Sequence, residues 1–210
     1  MAMTPDPAQA DGRRLRREQN RAAVIEALLA LFRDGVYQPS TDEIATKAGL
    51  SARSLFRYFD DVNDLHRAAA DRAVQRAWPL IGLGARPDEP TADKIRAVVS
   101  SRVRMFEETA PAARALRAAS NRRDMLRGIL DRNRSYLRHQ ISEVFGPEFA
   151  VAEPAVEPAV QVLCSFESYE LMRYAQGLSR EDAEAATVAG ISVLLGVGRI
   201  TPAVSSGQAV

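Results

Sequence analysis

The sequence has little of what catalytic, metal-binding and secreted proteins depend on. Its 210 residues include one cysteine, Cys164, and two histidines, His66 and His139. A single thiol excludes an internal disulfide and favours a reducing compartment, so we expect a cytoplasmic protein in which Cys164 is a small buried apolar residue. These three residues match no metal-ligand spacing, and we find no glycine-rich phosphate loop and no histidine–carboxylate cluster. We therefore expect no enzyme, no metal site and no cofactor.

Long apolar runs and an excess of one charge are also lacking. No stretch approaches the ~18 apolar residues of a membrane-spanning helix, and the polar first twelve residues do not resemble a secretory signal. The 28 Lys and Arg residues nearly balance the 27 Asp and Glu residues, which leaves a formal net charge of +1. A nucleic-acid-binding function would therefore depend on a local basic patch rather than on the whole chain.

What the sequence does contain is helical periodicity. Apolar residues recur at i, i+3, i+4 and i+7, whereas strand alternation and hairpin dipeptides are absent. We predict an all-α protein of about nine helices. Their expected positions are 15–32, 41–48, 52–59, 62–80, a helix capped by Thr91, a short helix after Pro111, 125–145, 156–176 and a last helix that Ser179 caps and that ends near Gly196 and Gly198.

The most informative stretch runs from Ser40 to Leu65. Ser40 and Glu43 form a capping box for one short helix, Gly49 ends it, and Ser51 caps a second short helix. Two short capped helices joined by a glycine turn, with a long amphipathic helix on each side, are typical of a helix-turn-helix. The second short helix is too short to be stable alone, so its neighbours must support it and leave one side free. That side carries residues suited to reading DNA, namely Ala52, Arg53, Ser54, Arg57 and Tyr58.

The run from Ile25 to Leu65 resembles the N-terminal domain of TetR-family transcriptional regulators. The matching positions are Ala27 to Phe32, Gly35, Thr41, Ile44-Ala45, Ala48-Gly49-Leu50-Ser51, Leu55-Phe56-Arg57-Tyr58-Phe59 and Leu65. The resemblance implies that the second short helix enters the major groove and that Thr41 and Ser51 face phosphates. Beyond Leu65 the likeness is architectural only.

The resemblance also implies a division of the chain. We expect a disordered lead-in (1–12), a DNA-binding domain (13–61), a helical ligand-binding and dimerisation domain (62–200) and a flexible tail (201–210). By composition alone, the glycine- and proline-containing connection at 82–90 is the best candidate for a boundary.

Charge near the helix-turn-helix favours DNA. Residues 13–59 contain nine Lys and Arg against five Asp and Glu, a local net charge of +4. Four arginines precede the first apolar stripe, and they have two equally good interpretations. They form either an arm that contacts a neighbouring phosphate or minor groove, or a solvated segment. These are Arg13, Arg14, Arg16 and Arg17.

Some positions depart from the family pattern. Arg53-Ser54-Leu55-Phe56 stands where the family usually has Gly-Thr-Leu-Tyr, and Val62 replaces a usual lysine, so Phe56 and Val62 lack groups that would touch phosphates. These departures keep a second hypothesis open, namely a helical binding protein that has lost operator recognition. An enzyme is a further, weak hypothesis, because two histidines leave little for acid–base chemistry.

The last two helices carry the expected dimer contacts, with the intrachain core as the alternative. A helix that is apolar nearly all round is buried on both sides, and small residues allow close approach. The candidates are Val160, Leu163, Leu171, Tyr174, Ala186, Gly190, Val193 and Val197.

The helices between the two ends would enclose a cavity for an apolar or aromatic effector, although each candidate taken alone fits a plain core position. Glu167 lies in an apolar run, where a buried carboxylate would suit a cationic ligand and a solvated position is the alternative. The candidates are Trp78, Met105, Phe106, Tyr136, Phe166, Glu167 and Tyr169. The resemblance then implies a homodimeric repressor that a small molecule releases from a palindromic operator.

Overall fold

The computed structural model describes residues 7–198, and this part of the chain is helical without any strand. The all-α prediction is therefore confirmed for these residues. None of the described helices is long and apolar enough to cross a membrane. The helices are α1 (Pro7–Arg33), α2 (Thr41–Lys47), α3 (Ala52–Leu55), α4 (Val62–Ala77), α5 (Thr91–Ser120), α6 (Asp124–Val144), α7 (Gly146–Phe149), α8 (Val156–Leu163), α9 (Phe166–Glu170) and α10 (Arg180–Leu194).

The described chain forms two compact units. The first comprises residues 7–77 and 109–131, and the second comprises 78–108 and 132–198. Helix α4 and the end of α5 thus pack with the N-terminal helices, whereas the predicted DNA-binding domain ends at residue 61. The connection at 82–90 lies within the second unit. The assignment of DNA binding to 13–61 and ligand binding to 62–200 stays a prediction.

Apolar stripes on α1, α2 and α4 form the core of the first unit. Val24 and Leu28 of α1 are fully buried, and they share one cluster with Ile44 of α2, Leu55 of α3 and Leu65 of α4. On the surface of the same unit, Glu26 of α1 accepts hydrogen bonds from Arg72 and Arg76 of α4. The short helices α2 and α3 are therefore held by two longer ones.

A buried lysine organises one end of the second unit. Lys94 of α5 is almost fully buried, and its Nζ lies 2.7 Å from Glu148 Oε2 of α7. The same Nζ donates to the carbonyl oxygens of Val144, at the end of α6, and of Pro87, in the 82–90 connection. Because each proton of this buried ammonium has an acceptor, the start of α5 is fixed to its neighbours.

Helix α5 differs from its predicted form at two places. Thr91 is its first residue rather than its cap: the amides of Asp93 and Lys94 bond the carbonyl of Pro90, and the Thr91 hydroxyl donates to Glu148. Pro111 lies inside the helix, so the predicted break and separate short helix are wrong. The alanines around Pro111 favour helix strongly enough to tolerate one missing backbone donor.

The predicted helix over 156–176 is interrupted. Helix α8 ends at Leu163, and Ser165 caps α9 by accepting a hydrogen bond from the amide of Ser168. A π-helical turn over Leu171–Ala175 then follows α9. A serine cap inside an apolar run restarts a helix, which periodicity alone does not reveal.

The two ends of the chain also differ from expectation. Helix α1 begins at Pro7, so residues 7–12 are helical rather than part of a disordered lead-in. Residues 1–6 and the predicted tail at 201–210 lie outside the described residues. The last helix, α10, ends at Leu194, two residues before Gly196.

Candidate functional site

The first half of the predicted helix-turn-helix is confirmed in its local geometry. The amide of Glu43 donates to Ser40 Oγ at 3.2 Å, and the Glu43 carboxylate accepts from the amide of Ser40 at 2.7 Å. These two bonds form a complete capping box at the start of α2. Gly49, at φ +69°, then turns the chain through a left-handed conformation that glycine adopts without strain. This turn leads directly to Ser51 and α3.

Helix α3 is shorter than predicted. It covers Ala52–Leu55, whereas the sequence predicts a helix over 52–59. The amides of Arg57 and Tyr58 bond the carbonyls three residues earlier, so the chain tightens into turns after Leu55. Arg53 on the helix and Arg57 in the following turn are both exposed. The two cations that the sequence assigns to DNA therefore remain accessible.

Contacts with α1 support the end of this segment. Leu55 and Phe59 are buried, and the Arg21 guanidinium of α1 lies 4.7 Å from the centre of the Phe59 ring. Asn20 of α1 donates a hydrogen bond to the Tyr58 hydroxyl at 2.9 Å. That hydroxyl keeps its own proton as a donor, so a DNA contact by Tyr58 would be made from a position that α1 fixes.

The other predicted DNA contacts are less exposed or already engaged. Thr41, Ala52 and Ser54 are half-buried, and Ser51 is exposed. Ser51 Oγ accepts a hydrogen bond from the amide of Ser54 and lies 2.9 Å from the Ser54 hydroxyl. In this geometry the two hydroxyls first stabilise the start of α3, because a cap accepts one of the otherwise unpaired helix amides.

The arginines of the predicted arm lie on α1 rather than in an extended segment. Arg14, Arg16 and Arg17 are exposed, and Arg14 pairs with Glu18 one helical turn later. The side chain of Arg13 lies outside the described residues. A helix at this place presents its arginines at helical spacing, which limits how far they reach from the core of the unit.

Acidic residues follow the helix-turn-helix. Asp60 and Asp61 are exposed, and Asp64 accepts from the amide of Asp60 and lies 3.6 Å from Arg21. Phe56, which stands where the family usually has tyrosine, is 48% exposed. Two carboxylates and a phenyl ring therefore lie at the edge where the sequence predicts phosphate contacts.

A polar cleft of about 180 Å³ lies in the first unit beside the loop between α1 and α2. His66 lines it and is buried. Burial and the positive charge of Arg123 lower the pKa of His66 to about 4. The histidine is therefore neutral at physiological pH.

In the second unit the structure brings together several of the predicted ligand-binding residues. The ring centre of Phe106 lies 5.5 Å from that of Phe166 and 5.7 Å from that of Tyr169, and all three side chains are buried together with Met105. Trp78 and Tyr136 form a separate pair, 6.4 Å between ring centres, and both are exposed. The six aromatic and apolar candidates thus divide into a buried group and an exposed pair.

Glu167 occupies a solvated position, which is the alternative that the sequence allows. Its side chain is 42% exposed and accepts hydrogen bonds from Arg134. Glu167 is therefore not the buried carboxylate that would suit a cationic ligand. Cys164 is buried, and this burial raises the pKa of its thiol to about 12, so the thiolate required for redox chemistry does not form near neutral pH.

Arg102 is a further residue of the second unit, and the sequence alone predicts no role for it. It lies on α5 one turn before Phe106 and is 2% exposed. Its Nε and Nη1 are buried and have no hydrogen-bond partner among the described residues. The sequence did contain a sign of this, since Arg102 occupies an apolar stripe between Val99 and Phe106.

The predicted dimer residues separate into exposed and buried ones. Val160 is fully buried within the second unit, so it lies in the intrachain core. Leu163 and Gly190 are half-buried and face each other between α8 and α10. Leu171, Tyr174, Ala186 and Val193 are exposed, with Val193 79% exposed, and Val197 is half-buried. Val162 of α8 is also exposed.

No protein-family model matches the sequence, and no curated protein is significantly similar to it. Solved structures do match. A TetR-family transcriptional regulator from Streptomyces coelicolor is 24% identical, with a TM-score of 0.64 over 84% of this chain and 80% of its own. A putative TetR-family regulator from Mesorhizobium loti is 18% identical, with a TM-score of 0.65 over 86% and 97%. The multidrug binding protein EbrR, solved with imidazole, is 16% identical, with a TM-score of 0.57 over 87% and 93%. The chain therefore has the fold of TetR-family regulators.

Proposed function

We propose that the chain is a DNA-binding transcriptional regulator of the TetR type, acting in the cytoplasm as a homodimer on a palindromic operator. The observation that carries this proposal is the capped pair α2 and α3, joined by Gly49 and followed by exposed Arg53 and Arg57. Arginine donates two parallel hydrogen bonds to the edge of guanine, and a helix of this size fits the major groove. We assign base contacts to Arg53 and base or phosphate contacts to Arg57.

Exposed apolar side chains of the last helices support a dimer. Leu171, Tyr174 and Val193 belong to the second unit, and each of these large apolar side chains is more than half exposed, which favours an interface. A single helix-turn-helix makes few base contacts, whereas two copies related by twofold symmetry read two half-sites about 34–36 Å apart. We therefore propose that these side chains pack against the same side chains of a second copy.

Release by a small molecule is the third part of the proposal. EbrR, which has this fold, binds imidazole in its structure. In this chain the aromatic residues around Phe106 and the Trp78–Tyr136 pair supply an apolar lining for an effector. Such a molecule displaces the protein from DNA only if it binds the released state more tightly than the DNA-bound state.

Selection from a random duplex library, followed by binding at several salt concentrations, tests the proposal. We expect an enriched inverted repeat and an affinity that falls steeply with salt, because each neutralised phosphate releases a counterion. Arg53→Ala should weaken binding about tenfold or more. Arg127→Ala removes an exposed arginine outside the helix-turn-helix and should leave the affinity unchanged.

A second candidate function remains, that of a helical ligand-binding protein without an operator. The exposed Phe56 and the carboxylates of Asp60 and Asp61 favour it, because they remove or oppose phosphate contacts beside α3. Absence of any enriched duplex, with equal weak binding by the wild type and Arg53→Ala, would support this candidate and contradict the regulator.

A further inference from the structure

Arg102 is the only side chain in the described part of the chain whose buried polar atoms lack a hydrogen-bond partner. Its Nη2 donates to the carbonyl oxygen of Leu137 at 2.9 Å and to Gln140 Oε1 at 3.1 Å, both on α6. Its Nε and Nη1 have no acceptor among the described residues. These contacts fix the orientation of the guanidinium and leave N–H groups on two of its three nitrogens unused.

Unused donors on a buried cation are unfavourable, so their presence needs a physical reason. Burial lowers the pKa of Arg102 to about 10, which still leaves the side chain charged at neutral pH. A buried charge is normally paired and each of its donors bonded, since otherwise the full desolvation penalty remains.

The acidic side chains around α5 do not supply the missing acceptor. Glu107 accepts from the Tyr169 hydroxyl and from Arg173, and Glu148 accepts from Lys94 and Thr91. Glu157 accepts from Ser142 and Gln161. Each of these carboxylates is engaged elsewhere, so an acceptor for Arg102 must come from outside the described chain.

The surroundings of Arg102 are aromatic. Phe106 follows it by one helical turn and begins the buried group with Phe166 and Tyr169. Tyr136 of α6 precedes Leu137, whose carbonyl oxygen accepts from Arg102, and it pairs with Trp78. A ligand that reaches the guanidinium therefore meets aromatic rings as well as unpaired N–H donors.

We propose that the effector is an apolar or aromatic carboxylic acid, bound as its carboxylate, which accepts hydrogen bonds from the unpaired N–H groups of Arg102. The ring or alkyl part of the acid contacts the aromatic side chains. This inference rests on the proposed function, because it names the class of molecule that releases the regulator. A carboxylate ligand at Arg102 thus takes the place of the cationic ligand that the sequence suggests for Glu167, because Arg134 already pairs with Glu167.

Binding to the full-length protein without DNA tests the inference directly. Trp78 is the single tryptophan of the chain and lies in the same unit, so its fluorescence reports binding there. The probes are benzoate, phenylacetate and decanoate, each compared with its uncharged amide of nearly the same shape. We expect at least one acid to bind saturably and about tenfold or more tightly than its amide, since an unpaired buried donor gains a charged acceptor.

Variants separate the role of Arg102 from a general effect of charge. Arg102→Met should remove the preference for acid over amide. Arg104→Met, an exposed position two residues along the same helix, should keep it. Acids that bind no better than their amides to the wild type, or that keep their preference in Arg102→Met, overturn the inference.

Protein stability gives a second readout that does not depend on the choice of probe. If the arginine is kept for a ligand, Arg102→Met should raise the Tm of the ligand-free protein by about 2–4 °C, because it removes an unpaired buried charge. A lowered Tm together with unchanged probe binding identifies a purely structural arginine and contradicts the inference.

The two proposals fail separately. If the protein enriches no duplex but binds acids selectively, and Arg102→Met loses this selectivity, the carboxylate site is supported and the proposed regulator is contradicted. If the protein enriches an operator, no acid weakens its binding, and acids and amides bind equally in the fluorescence titration, the regulator is supported. The carboxylate effector is then contradicted.

Discussion

Gly190 of α10 lies directly against Leu163 of α8. A Cβ placed at Gly190 would be 3.2 Å from Leu163 Cδ1, which is closer than side chains normally approach. A side chain at this position would require the Leu163 side chain to shift by a few tenths of an ångström. The small residue that the sequence assigned to a dimer interface therefore serves first the packing of α8 on α10 within one chain.

Enlarging Gly190 should separate these two helices. We expect Gly190→Val to lower the free energy of unfolding by about 1–3 kcal/mol, since overpacking forces side chains and backbone to shift. Thermal or urea unfolding measures this. Ala189→Val changes an exposed neighbour on the same helix and serves as the control. Equal stability of the two variants would show that the Leu163 side chain can shift without lowering the free energy of unfolding.

Charges on the exposed apolar face should prevent dimerisation. We expect Val193→Glu and Tyr174→Glu each to shift the protein towards monomer in analytical ultracentrifugation, because a buried unpaired carboxylate at an interface is strongly unfavourable. Val151→Glu places the same charge on a residue that is 87% exposed on the chain between α7 and α8 and should not change the mass. A wild type that is monomeric at all concentrations would contradict the dimer itself.

The capping box should contribute measurably to the helix-turn-helix. Ser40→Ala removes the acceptor for the amide of Glu43 and should lower the free energy of unfolding by about 1 kcal/mol. Thr46→Ala changes an exposed position on the same helix, where alanine favours helix, and should not destabilise the protein. Chemical denaturation of both variants decides the matter, and a loss below a few tenths of a kcal/mol for Ser40→Ala would mean that water replaces the cap.

His66 should make stability depend on pH in the acid range. Its pKa falls from 6.5 when exposed to about 4 when folded, so the unfolded chain binds a proton first. His66 therefore leaves the free energy of unfolding unchanged above about pH 6.5. As the pH falls towards 4, protonation of this histidine in the unfolded chain lowers the free energy of unfolding by about 3 kcal/mol in total.

A comparison of two histidine variants measures this loss. His66→Gln should flatten the decline in stability between pH 6.5 and 4 relative to the wild type, whereas His139→Gln, at an exposed position, should follow the wild type. Parallel curves for all three proteins would indicate that water reaches His66 freely.

The sequence predicted local features of the fold well because their causes are local. The capping box at Ser40 and the cap at Ser51 depend on residues three positions apart, and the structure contains both. The interruption at Ser165 shows the limit of periodicity, because the same apolar spacing is compatible with one long helix or with two short ones. Pro111 shows the reverse, since helix packing and alanine-rich neighbours override a residue that usually ends a helix.

The candidate site was harder to predict because burial and pairing depend on the fold. Glu167 and Arg102 each lie within an apolar run, and the sequence does not distinguish a solvated carboxylate from a buried guanidinium. The structure pairs the first with Arg134 and leaves the second with unused donors. Likewise, Val160 and Val193 both fit the same apolar pattern, yet one is fully buried and the other is exposed.

The buried thiol of Cys164 makes the protein a convenient subject for spectroscopy. Its high pKa and burial protect it from alkylating reagents, so a cysteine introduced at an exposed site is the one that a spin label modifies. Asp60→Cys, just beyond the helix-turn-helix, would place one label on each copy of a dimer. Pulsed electron paramagnetic resonance would then measure the separation of the two labels before and after a carboxylate is added.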